Sequence, residues 1–61
     1  MTFTTEQKRK AIERELSFRR RVYPRFIEQK KMTQVFADEQ IAIFEAIRLD
    51  YSLIETSERL V

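Results

Sequence analysis

The sequence predicts an all-α fold: a two-helix antiparallel hairpin with helix 1 kinked at Pro24, completed by dimerisation through helix 2. Three observations predict it. Glycine is absent and proline occurs once, so the turns that strands need have few residues to build them. Ala, Leu, Ile, Glu, Gln, Lys and Arg dominate, and these favour helix. Apolar residues recur at helical spacing on both sides of one polar break, "QKKMTQ", residues 29–34.

Helix 1 is expected over residues 5–30. "TTEQ", residues 4–7, fits a capping box: the Thr4 hydroxyl accepts from the Gln7 backbone, and the Gln7 side chain reaches back. Ile12, Leu16, Tyr23 and Ile27 then fall on one stripe, within roughly 60° at 100° per residue. Pro24 lies in the middle. It offers no N–H to the Arg20 carbonyl and pushes residue 23 away from helical angles. The apolar phase continues through Phe26 and Ile27, which predicts one bent helix rather than two.

In the turn, Thr33 is suited to cap the second helix, and Met32 is placed to pack on Ala37. The end of helix 1 calls for a left-handed residue, usually glycine. Only Lys30 or Lys31 can take that place, at about 1 kcal/mol. Helix 2 is expected from Gln34 to the late fifties, with two apolar stripes on roughly opposite sides. One is Ala37, Ile41, Phe44, Ile47, Tyr51 and Ile54. The other is Val35, Ala42, Ala46, Leu49, Leu53 and Leu60, spaced like a coiled-coil seam. Helix 1 can cover one stripe. The second predicts a symmetric dimer with Val35, Ala42, Ala46, Leu49 and Leu53 at its interface.

Sixty-one residues make one small domain spanning 1–61, too small to bury a large core alone. Cysteine and histidine are both absent, so neither disulfides nor the usual zinc sets can staple it. The same absence removes Ser-His-Asp, Cys-His and His-metal chemistry, and no glycine loop exists to cradle phosphate. Asp38, Glu39 and Glu45 read as solvated helix-face acids. The chain is expected not to be an enzyme and to need no cofactor or metal. Its longest apolar run, "IAIF", is far too short for a membrane span, and the N-terminus has no apolar signal core. The expected location is the cytoplasm.

The net charge of +2 conceals a division. Residues 1–31 hold ten Lys/Arg against four Glu, a net +6, and residues 32–61 hold two Arg against six acids, a net −4. Lys10, Arg14, Arg21 and Arg25 project within about 60° of one another, opposite the helix 1 stripe. Glu6 can reach Lys10, Glu15 can reach Arg19 and Glu28 can reach Arg25. Arg14, Arg20 and Arg21 have no acid three or four residues away. Phe18 lies off the core stripe as an exposed anchor. Arg14, Phe18, Arg20, Arg21 and Arg25 are therefore the expected partner-binding residues. Phosphates are one target for such a face. An acidic protein surface is a second, since arginine and aromatic anchors dominate interface hot spots. An anionic membrane surface is a third and ranks lowest, because the apolar side of helix 1 is needed to pack on helix 2.

"ELSFRRRVYPRFIEQKKMTQVFADEQIAIFEAI", residues 15–47, resembles a group of short proteins encoded by tailed bacteriophages and prophages. The matching residues are Arg20, Arg21, Val22, Tyr23, Pro24, Phe26, Met32, Thr33, Ala37, Gln40, Ile41 and Ile47. The chain departs at Lys30, where the pattern has glycine. The resemblance implies an origin, not a mechanism. Small phage accessory proteins often bind and disable a host factor. The resulting expectation is an accessory protein that modulates a host protein, such as host defence or nucleic-acid machinery, through its basic helix face. The alternatives are a nucleic-acid-binding accessory protein and a purely structural self-assembling module.

Overall fold

The computed structural model describes residues 2–60. It is all-helical among them: α1 (Thr5–Glu28) and α2 (Gln34–Arg59) pack together as a helical hairpin with extents of 48 × 21 × 16 Å. Neither helix is long and apolar enough to cross a membrane.

Each helix starts where its capping residue lies. The Gln7 N–H donates to the Thr4 hydroxyl at 3.1 Å, and the Thr4 N–H donates to the Gln7 side chain at 2.8 Å. Two donors that the first turn leaves open are thus satisfied. At α2 the Phe36 N–H donates to the Thr33 hydroxyl at 3.1 Å. Pro24 sits inside α1, which runs through it without interruption.

α1 ends at Glu28, two residues earlier than the sequence pattern predicts. The Lys31 N–H donates to the Phe26 carbonyl at 2.9 Å, and the Lys30 N–H donates to the Ile27 carbonyl at 3.0 Å. This bond pair is a Schellman motif, which requires a left-handed residue in the position after the cap. That residue is Lys30, at φ 61°. The terminating hydrogen bonds stop the helix ahead of both lysines.

The core is thin. Leu16, Tyr23 and Ala37 are the buried apolar residues, with Ile12, Ile27, Ile41, Phe44 and Tyr51 half-buried around them. The predicted inner stripes are therefore the ones that meet, with one exception. Ile54 is exposed. It lies roughly 100° around α2 from Ala37, because a repeat of 3.5 residues drifts on a helix of 3.6.

Polar side chains complete the seam between the helices. Thr5 donates to Glu58 at 2.8 Å, Arg9 Nε donates to Glu55 at 2.5 Å, and Arg20 pairs with Glu45. The Arg19 guanidinium lies 4.1 Å from the centre of the Phe44 ring and donates to the Tyr23 hydroxyl at 2.5 Å. The Tyr23 bond, then the Glu15 carboxylate, hold Arg19 protonated above its ordinary range despite partial burial.

Candidate partner-binding face

The side of α1 that faces away from α2 is set by its buried line. Leu16 and Tyr23 point inward, so positions roughly 180° away point to solvent. Arg14, Phe18, Arg21 and Arg25 occupy that outer side, and all four are exposed.

Which of these cations remain open depends on the acids around them. Lys10 pairs with Glu6 at 3.0 Å, and Arg19 pairs with Glu15 at 2.9 Å, as their spacing predicts. Arg9 bridges Glu13 at 2.7 Å and Glu55 at 2.5 Å. The bond to Glu55 leads the causes that raise the Arg9 pKa, with burial opposing it. Arg9 to Glu13 is a four-residue spacing that was legible in the sequence, and only the Glu55 half needed the fold.

Two expectations about this face change. Arg20 was expected to be open, because no acid lies one turn away on its own helix. It is engaged instead by Glu45 of α2, a partner that only the packing of the helices brings near. Arg25 was expected to pair with Glu28, and it makes no ion pair among the described residues. Arg14 and Arg21 are likewise without an acidic partner there. On the outer side of α1 the open set is thus Arg14, Arg21 and Arg25.

These three arginines share the outer side over roughly 16 Å, at 1.5 Å per residue. The Arg21 guanidinium stands 5.6 Å from the centre of the Phe18 ring. Such a contact contributes about 0.5–1 kcal/mol at an exposed site and holds the guanidinium beside an apolar plane. The result is a ridge of three unpaired guanidinium groups around one aromatic side chain. It can meet carboxylates or phosphates with charge-assisted bonds, and Phe18 adds a small apolar contact.

The second expected surface lies on the far side of α2. Val35, Ala42, Ala46, Leu49 and Leu53 are all exposed, as is Leu60, so α1 leaves this stripe uncovered. Phe36 and Ile43, which belong to neither predicted stripe, are exposed as well, and Phe36 lies near the turn with Ile27 and Met32.

Comparison with protein-family models, curated proteins and solved structures gives no match.

Proposed function

We propose that this chain is a phage-type accessory protein that acts without catalysis, by binding an acidic surface of a host protein in the host cytoplasm. Its contact residues are Arg14, Arg21 and Arg25, with Phe18 as the anchor. The observation that carries this reading is the ridge itself. Arg9, Lys10, Arg19, Arg20 and Arg59 pair with the chain's own acids; of the seven other cations, which make no ion pair among the described residues, Arg14, Arg21 and Arg25 share the outer side of α1 around Phe18. Arg20 serves the hairpin through Glu45 rather than the partner. In the same reading the hairpin is antiparallel, α1 bends at Pro24, and a second copy completes the fold through α2.

The test is a pull-down from bacterial lysate with and without nuclease, comparing wild type with Arg21→Glu/Arg25→Glu and with Arg20→Ala. The reading expects one host protein that survives nuclease, is lost in the double variant and is kept by Arg20→Ala. If everything captured disappears with nuclease, the ridge binds nucleic acid. Affinity then falls steeply with salt and the slope shrinks as each arginine is removed. If charge reversal changes nothing that is captured, the ridge is a solvated face.

A further inference from the structure

The hairpin exposes more surface than a folded chain of its size ordinarily does. Its accessible area is 5089 Å² at a mass of 7.5 kDa. A typical folded monomer of that mass exposes about 4,250 Å². The excess, about 800 Å², matches one partner's share of a standard protein interface. Val35 and Leu60 are 77% and 83% exposed, at opposite ends of the outer stripe of α2.

The order of residues along that stripe carries further information. Its heptad core positions are Val35, Glu39, Ala42, Ala46, Leu49, Leu53, Thr56 and Leu60, in alternating steps of four and three. Reversing the helix about a point between Ile47 and Arg48 maps this set onto itself. Ala46 then faces Leu49, and Ala42 faces Leu53. Val35 faces Leu60. Each alanine meets a leucine, the pairing of small with large that fills a core evenly. The one acid in the set, Glu39, faces Thr56. A parallel pairing sets Glu39 against Glu39, alanine against alanine and leucine against leucine.

We infer that the outer stripe of α2 is occupied by α2 of a second copy running in the opposite direction. The two-fold axis passes between Ile47 and Arg48, and the two α1 helices lie on the outside. This rests on the reading that a second copy completes the fold, and it specifies the direction and the facing pairs. The arginine ridges of the two α1 helices stay open on the outer surfaces of the dimer.

The chain contains no cysteine, so introduced thiols report without background. Ala42→Cys and Leu53→Cys chains are prepared separately, checked for helix by circular dichroism, and oxidised alone and mixed. The mixture is expected to form a heterodisulfide, and neither variant alone a homodisulfide. In the reversed arrangement two Ala42 positions stand roughly 16 Å apart along the axis, beyond the limit of about 7 Å between Cα atoms. A homodisulfide from Ala42→Cys alone overturns the direction and leaves the dimer standing. Sedimentation of the wild type as a 7.5 kDa monomer at every concentration overturns self-association itself. Thr56→Lys gives an independent reading that does not depend on oxidation. Facing Glu39 of the other chain, it is expected to tighten the dimer about 3-fold to 10-fold, and an unchanged or weaker dimer contradicts the pairing.

Discussion

Replacing Lys30 with glycine should stabilise the hairpin. Lys30 occupies the left-handed position that ends α1, at φ 61°, and makes no ion pair among the described residues. An L-residue with a Cβ pays about 1–2 kcal/mol there. Glycine removes that cost but loses about 0.5–1 kcal/mol more conformational entropy on folding. The net gain is roughly 0.5–1 kcal/mol, or a rise of about 2–8 °C in Tm for a domain of this size. The measurement is thermal unfolding followed by circular dichroism at fixed chain concentration, because association shifts Tm. High salt removes the small favourable effect of the lysine charge at the helix end. Lys31→Gly is the control. Its backbone is not left-handed, so only the entropic loss remains and Tm should fall. A Lys30→Gly chain that melts lower than wild type, or a Lys31→Gly chain that melts higher, refutes the account of the turn.

Leu16→Ala should cost about 2–5 kcal/mol, because Leu16 is one of three buried apolar residues among those described. Total stability at this length is about 3–9 kcal/mol, so far-UV circular dichroism should show a large loss of helix at 25 °C, whereas Phe18→Ala should stay within about 1 kcal/mol of wild type. The Glu6 carboxyl titrates below its ordinary value, chiefly through its hydrogen bond from Lys10 and then the charge of that lysine. The stability it contributes is therefore present above the ordinary glutamate range and is lost as pH falls through the lowered folded value. Carboxyl titration by NMR should show Glu6 moving up in Lys10→Met, and no movement would remove Lys10 as the cause.

Local chemistry was legible in the sequence wherever it depended on neighbours a few residues apart. "TTEQ" gave the start of α1, Thr33 gave the start of α2, and the lack of glycine placed a lysine in the left-handed position. The Glu6–Lys10 and Glu15–Arg19 pairs follow from helical spacing alone. Contacts between the helices did not follow in the same way. Arg20 found Glu45, twenty-five positions away, because of how the helices are rotated against each other. Periodicity fixes which side of a helix faces inward but not which charged residues at its margin come into contact. The end of α1 was placed two residues late for a related reason: Gln29 and Lys30 have good helix propensity, and the capping bonds stop the helix regardless. Ile54 was misplaced because a stripe extended over five turns drifts out of the inner sector.

The arginine contacts across the hairpin have a consequence for folding specificity. Apolar stripes as long as those on α1 and α2 can slide past one another by a turn and still bury similar area. Directional contacts cannot. Arg9 on Glu55 lies at one level of the hairpin, and Arg19 on Phe44 and Arg20 on Glu45 lie together at another, roughly 15 Å along α1. A slip of one turn, about 5.4 Å, breaks all three together. The thin core supplies cohesion, and these arginines set the register. A chain with Glu45 and Glu55 changed to glutamine should still collapse into helices, but it should populate more than one alignment of them.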